Sequence, residues 1–404
     1  MRSVNCDWHV CRIVAAIVRV LSPSPNPFAT SAIASYELPE SLLSQLQTPA
    51  LLVYLDRVRG NIQSMIGYAG SADRWRPHLK TTKIPEVWRE LLAAGVNHFK
   101  CATTREASVF VELANDLGAT ADLLVAYPMR GPALRRLAEI AAAAKTVTVS
   151  LLVEDPDLID DLPPGMGVFV DINPGMNRTG IPMLDTGAIV RVARAAGDRF
   201  RGLHFYDGHQ HDEDLEARRT AIFAGYERLL ELVELLAADG IGVGEVVTAG
   251  TPAFHQALQF DAFRGSGDFV HRVSPGTVVF HDGRSQLENP DVELQPAALV
   301  LTRVISHPAA AVVTCDAGSK SLAAEAGDPC AFVLGSSSFQ AMVPSEEHLP
   351  MGCIGDLPPR GTALLLVPRH VCPTVNLAES CVLVETGAAP RIVSVSARAH
   401  ELSL

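Results

Sequence analysis

From residue 49 onward, short apolar runs rich in β-branched residues alternate with longer segments in which apolar positions recur at three and four residues. This pattern predicts repeating βα units. Strands are predicted over 50–55 (ALLVYL), 73–80 (DRWRPHLK), 98–103 (HFKCAT), 122–127 (DLLVAY), 146–153 (TVTVSLLV), 167–172 (GVFVDI), 201–208 (RGLHFYDG) and 245–250 (EVVTAG). Helices are predicted between several of them, most clearly in PEVWRELLAAG, REASVFVELANDLG, PALRRLAEIAAAA and 215–239. Eight strands at this spacing predict an α/β chain built on a (β/α)8 barrel. A doubly wound open sheet uses the same alternation and ranks second, because no GxGxxG follows the first strand. Beyond about residue 282 the runs AALVLTRVIS, AVVTCDAG, CAFVLG, TALLLVPRH and CVLVETG are broken by Gly, Pro and Asp, which predicts an all-β second domain. The expected division is an extension over 1–35, the barrel over 36–280 and the β domain over 281–404.

Composition supports two cores, since 404 residues at 48% hydrophobic content exceed what one core usually serves. A formal charge of -12 leaves no basic field for nucleic acid, so a small-molecule partner is expected. Eight cysteines without a CxxC pair or a framework rhythm favour a reducing compartment, and a cytoplasmic protein is expected. The apolar run over 13–21 carries Arg19 and is too short to span a bilayer. Ala32-Ile33-Ala34 resembles a signal cleavage site, but the short, charged run argues instead for a disordered extension or an upstream start codon.

Polar motifs collect where the predicted strands end, the working face of such a barrel. Lys80, within the run RPHLKTTK, ends the second predicted strand, where a lysine can be held against a carbonyl cofactor. A nearby second cation, Lys83 or Arg76, would disfavour its ammonium form; a solvated basic patch is the alternative. NPGMNR (173–178) and YDGHQH (206–211) follow two later strands. TAGTP (248–252) and SPGT (274–277) combine small residues with hydroxyls, as phosphate binding requires, although either is also an ordinary tight turn. His370 and Cys372 are one residue apart, so in a strand both would face one side and could share a metal ion.

RPH-x-KT-x-K and HVCPT resemble segments of the fold-type III pyridoxal phosphate enzymes, the D-threonine aldolase and D-serine dehydratase family within the alanine racemase-like group. The resemblance covers roughly 49–385. It implies that Lys80 carries pyridoxal 5'-phosphate, that Thr248, Gly250, Thr251, Gly276 and Thr277 belong to a phosphate cup, and that Tyr206 lies against the cofactor ring. Arg178 would contact the ring or its oxygen. Ser274 stands where alanine racemases carry an arginine to the pyridine nitrogen, which argues against simple racemisation. His370 and Cys372 would hold a divalent metal with open positions, zinc by preference for a thiolate and manganese as the alternative. His211 is the candidate base, with His209 its competitor; a solvated loop is the bland reading of both. The segment Ser345 to His348 resembles a family SEEH stretch for which only a supporting role suggests itself. The implied reaction is metal-assisted aldol cleavage of D-β-hydroxy-α-amino acids. Dehydration of D-serine or 3-hydroxy-D-aspartate is the alternative, and a non-catalytic pyridoxal phosphate carrier the third possibility. By analogy a homodimer is expected.

Overall fold

A computed structural model describes residues 25–265 and 267–402. The apolar run over 13–21 and Cys6 and Cys11 lie outside them. The chain forms two compact units. One contains the residues through Tyr54, then Asp282–Leu287 and Pro296–Val393; the other contains Leu55–His281, Glu288–Gln295 and the residues from Ser394 onward.

The first unit begins with β1 (Ala50–Tyr54), and here the sequence expectation needs correction. The run over 50–55 is not a barrel strand. It runs antiparallel to β10 (Ala298–Ala309) and parallel to β16 (Ser380–Val384), inside a nine-stranded, mostly antiparallel sheet. Four of its five residues are buried, and a continuous apolar strand fits the centre of either sheet, so periodicity alone could not assign it. The rest of this sheet is β11 (Val312–Cys315), β12 (Ala331–Val333), β13 (Phe339–Ala341), β14 (Leu349–Cys353), β15 (Ala363–Pro368) and β17 (Arg391–Ser394). Its all-β composition agrees with the pattern beyond 282. The described part of the expected disordered extension is folded onto this unit. Phe28 is buried edge-on against Phe332 at 6.2 Å, and Asn26 Nδ2 donates to the carbonyls of Val333 and Ser336 at 2.7 and 2.8 Å. Ile33–Tyr36 form a 3-10 turn, so the cleavage-like triplet lies in ordered chain.

In the second unit β2 (His98–Cys101), β3 (Ala121–Val125), β4 (Val147–Val153), β5 (Gly167–Asn173), β7 (Phe200–Phe205), β8 (Glu245–Thr248) and β9 (Val270–Val273) pair in parallel, in that order, with the two-residue β6 (Ile181–Pro182) beside β5. The segment 75–78 closes the ring as an eighth stave. Trp75 bridges to Val273 and His78 to Lys100, both parallel. The expected count of eight therefore holds with one exchange of members, β9 in and β1 out. β9 reads VHRV, a four-residue strand with a polar centre that gives no apolar run.

Local chemistry sets the helix ends. Thr103 caps the helix Thr104–Leu117 by accepting from Glu106 N at 3.0 Å, Glu106 Oε2 accepts from Ala102 N at 2.7 Å, and Gly118 ends the helix at φ 62°. This is a reciprocal capping arrangement finished by a left-handed residue that glycine adopts without strain. Six described cysteines are free thiols. Among the described residues no helix is long and apolar enough to cross a membrane.

Charged residues fill the end of the barrel interior at which the strands begin. Arg76, fully buried, donates to Glu245 through Nε and Nη2 at 2.7 Å each and to Asp122 Oδ1 through Nη1 at 2.7 Å. Arg272 shares Glu245 at 2.7 Å, and Arg201 reaches Asp122 at 2.9 Å. Burial alone would push the Arg76 guanidinium toward losing its proton; the two carboxylates outweigh it and raise its proton affinity.

Candidate active site

The eight staves carry their side chains inward in layers, and above the Arg76 layer the interior opens into a cavity of about 290 Å³. His78, Lys80, Lys100, Arg178, His204 and Tyr206 line it, with Ala102, Ala126, Tyr127 and Thr179. No carboxylate is among these residues, so the cavity suits an anionic ligand. Lys80 ends the first stave with its side chain exposed. Its backbone N–H faces His78 Nδ1 at 3.3 Å, and His78 is held far below the usual imidazole range by burial and by Lys80, Lys100, His204 and Lys83.

The two cations expected to assist Lys80 are committed elsewhere. Arg76 belongs to the paired layer below. Lys83, in a left-handed turn at φ 54°, donates to Glu106 Oε1 at 2.6 Å and to the Ala397 carbonyl at 3.3 Å. The second lysine in the cavity is Lys100, a residue the sequence reading passed over.

Tyr206, just beyond β7, offers its ring to the cavity with the Arg178 guanidinium 4.4 Å from the ring centre and Lys100 Nζ at 5.6 Å. The tight turns flank this region. A Cβ on Gly250 would lie 2.7 Å from the Tyr206 ring, and one on Gly276 would lie 2.4 Å from the His78 carbonyl oxygen. Both turns therefore need glycine for the close approach itself. Gly276 and Thr277 follow β9, and Thr251 is half-buried beyond β8. The Thr248 hydroxyl is turned away, 2.8 Å from His271 Nε2. Ser274 Oγ donates to the Arg76 carbonyl at 2.7 Å and is buried.

The two histidines proposed as base do not line the cavity. His211 is exposed, with Nδ1 2.6 Å from the His209 carbonyl; His209 is half-buried beside Gln210. Burial and the neighbouring His211 lower the proton affinity of His209.

Behind the cavity runs a chain of polar groups that sequence reasoning missed. Lys100 Nζ lies 3.3 Å from His204 Nε2, His204 Nδ1 lies 2.8 Å from Asp171 Oδ1, and the Thr179 hydroxyl donates to Asp171 Oδ2 at 2.7 Å. Their signal was present, for Lys100, Asp171 and His204 each follow an apolar residue inside a buried stretch of strand.

In the other unit His370 is the N-cap of the helix Val371–Leu377 and Cys372 lies in its first turn. The pair is thus not in a strand, as expected, but a hydrogen bond joins the two side chains. Burial works against a charge on His370, and Cys372 and Asp282 overcome it, raising its proton affinity. Asp282 anchors the turn, with Oδ2 accepting from Val371 N at 2.8 Å and Oδ1 from Ser285 N and Oγ at 2.8 and 2.6 Å. An imidazole and a thiol this close fit a metal with two protein ligands. Among the described residues no group of three or more His, Cys, Asp or Glu is placed to hold an ion. Glu346 and Glu347, from the SEEH stretch, are exposed and pair with Lys320 at 2.9 and 3.1 Å.

Residues 53–281 match the family described as alanine racemase, N-terminal domain, and 297–384 the putative serine dehydratase domain. The chain is 30% identical to 3-hydroxy-D-aspartate aldolase of Paracoccus denitrificans, covering 88% of this chain and 93% of that one. To D-threonine aldolase of Arthrobacter sp. it is 29% identical over 89% of this chain and 95% of the relative. The crystal structure of D-threonine aldolase from Filomicrobium marinum superposes with a TM-score of 0.77 at 29% identity, covering 87% and 95% of the two chains.

Proposed function

Because the chain belongs to the alanine racemase-like, fold-type III family that includes D-threonine aldolases and 3-hydroxy-D-aspartate aldolases, we propose that it is a pyridoxal phosphate-dependent, metal-assisted lyase. It would cleave D-β-hydroxy-α-amino acids to glycine and an aldehyde. The observation that carries this reading is the exposed Lys80 amine at a cavity lined by cations, histidines and a tyrosine ring and free of carboxylates.

Bound there, pyridoxal 5'-phosphate supplies an electron sink for the bond broken at the substrate α-carbon. Lys80 would hold it covalently, and Tyr206 would pack against its ring. Arg178, already against Tyr206, would hold the ring oxygen or a substrate carboxylate by charge-assisted hydrogen bonds. Gly250, Thr251, Gly276 and Thr277 would hold the phosphate through backbone N–H groups. Thr248, its hydroxyl 2.8 Å from His271 Nε2, would support the turn.

His370 and Cys372 would hold the divalent ion, whose chemistry is Lewis-acid polarisation of an oxygen. A thiolate ligand favours zinc over manganese. Cys372 and the dehydratase domain match over 297–384 also support the second reading, dehydration of D-serine or 3-hydroxy-D-aspartate with release of ammonia. The aldolase relatives align over nearly the whole chain, β unit included, whereas a carrier would need only the barrel. A homodimer working in the cytoplasm completes the proposal.

The test is an assay of zinc- or manganese-loaded protein with D-threonine and D-serine, with Lys80→Ala as control. Glycine and acetaldehyde that vanish in Lys80→Ala are expected. Keto acid and ammonia would make it the dehydratase, and no turnover of either substrate would overturn the lyase reading.

A further inference from the structure

Lys83 stands three residues beyond Lys80 and is held as no surface lysine is. It is a non-glycine residue at φ 54° and only 6% exposed. A conformation that is costly for an L side chain persists where the surroundings over-determine it, and here three hydrogen bonds do so. Lys83 Nζ donates to Glu106 Oε1 at 2.6 Å and to the Ala397 carbonyl at 3.3 Å, and the Lys83 carbonyl accepts from Ala397 N at 3.1 Å. The backbone N–H groups of Thr82 and Lys83 both turn back onto the Leu79 carbonyl at 3.1 Å, and the Thr82 hydroxyl accepts from Trp88 Nε1 at 2.7 Å. Lys80 thus projects from a short turn that is fastened at two consecutive residues on its far side.

Part of this fastening comes from a segment remote in sequence. From Ser394 onward the chain belongs to the barrel unit, and Val395 and Ala397 are fully buried. Further along, Glu401 accepts from Arg136 Nη2 and Nε at 3.1 and 3.3 Å. Burial works against a charge on Glu401, and hydrogen bonds from the Arg136 and Thr104 side chains outweigh it. Lys83 follows the first stave, Thr104 opens the helix after β2, and Arg136 lies in the helix after β3. The segment therefore runs along the face at which the strands end, the face that carries the cavity.

We propose that residues 395–401 form a strap that locks the Lys80 turn, with Lys83 and Glu106 as the positioning residues through which it acts on cofactor binding. This rests on the reading of Lys80 as the cofactor lysine and adds to it what holds that lysine in place. Glu106 is the junction. One of its oxygens takes the Lys83 amine and the other takes the Ala102 N–H at 2.7 Å, and Ala102 is part of the cavity wall. The pair is shielded from water, so each charge depends on the other. Undocking the strap withdraws both Ala397 contacts and lets Lys83 leave its left-handed conformation. The turn then samples other shapes, and Lys80 is presented correctly for only part of the time. Apparent cofactor affinity falls in proportion to that fraction.

The test compares the parent with three forms: a chain ended after Ser394, Lys83→Met, and the two changes combined. In the cofactor-free proteins, hydrogen exchange of the amides at 79–83 is expected to quicken about 10-fold or more in each form, while those of β4 and β5 keep the parent's rates. In titrations with pyridoxal 5'-phosphate, followed by the visible absorbance of lysine-bound cofactor, affinity is expected to fall about 10- to 100-fold. The combined form should lose little more than the larger single effect, because both changes break one device. Should the shortened chain fail to fold, Glu401→Ala releases only the Arg136 end of the strap and is expected to move both readings by about 2- to 5-fold. Exchange at 79–83 that matches the parent, an unchanged cofactor affinity, or fully additive losses would overturn the strap and leave the lyase reading intact. A parent that takes up no cofactor on Lys80, as borohydride reduction with peptide mapping would show, overturns the lyase reading and this proposal together.

Discussion

Arg76 and Lys100 stand on adjacent staves of one barrel, both buried, and they have opposite surroundings. Arg76 has two carboxylates within 2.7 Å. Lys100 has a neutral histidine at 3.3 Å and an aromatic face at 5.6 Å. A buried cation given its counter-charges is locked, whereas one denied them is left with a proton that neighbouring charges can move. The first arrangement plugs the end of the barrel where the strands begin. The second makes the end where they finish chemically responsive.

The largest break in this comparison comes from Arg76→Met, which leaves Glu245 to Arg272 and Asp122 to Arg201 with their buried inner contacts unpaired. Urea unfolding should show a loss of about 3–5 kcal/mol; a loss below about 1 kcal/mol would mean that the network is not compensated as drawn. Glu245→Gln removes the charge shared by Arg76 and Arg272 and keeps the shape, so about 2–3 kcal/mol is expected from the same measurement.

The metal pair sharpens the comparison from the other unit, where Asp282 holds the backbone of the turn and its charge also bears on His370. Asp282→Ala should weaken zinc about 10- to 100-fold in a chelator competition titration, as loss of supporting partners typically does. Unchanged affinity would free the ligand pair from that support.

The smallest effect is the most specific. Lys100→Met should leave the apoprotein as stable as the parent or about 1 kcal/mol more stable at pH 7, since an uncompensated amine is replaced by a chain of similar volume. Lys100 binds its proton less well in the fold than in the unfolded chain, whose value is near 10.5. Between those two values the unfolded state holds the extra proton, so raising the pH stabilises the parent relative to the variant. The gap should therefore narrow from pH 7 toward pH 10. A gap independent of pH would show that Lys100 is charged in both states.

Much of this was legible along the chain. The alternation of βα units predicted the barrel, the loss of helical period beyond 282 predicted the β unit, and the ends of the strands carried Lys80, Arg178 and Tyr206 to one cavity. What misled was local pattern without context. ALLVY reads as a barrel strand because any doubly buried strand does, and VHRV was overlooked because its polar centre hides its period. The Arg76 and Lys83 side chains sit beside Lys80 in sequence, yet one turns down the barrel and the other is held by Glu106. HVC opens a helix, where cap geometry rather than strand alternation brings the imidazole to the thiol.

The sequence by itself determined the class of fold, the order of its parts and the residue types available for catalysis, because periodicity and motif spacing are properties of neighbours along the chain. Only the tertiary structure decided which cations were neutralised and which were not. Arg76 meets Glu245 across 169 residues and Lys100 meets His204 across 104. The charge state of a buried group is set by what lies within a few ångströms in space, and no local pattern encodes that distance.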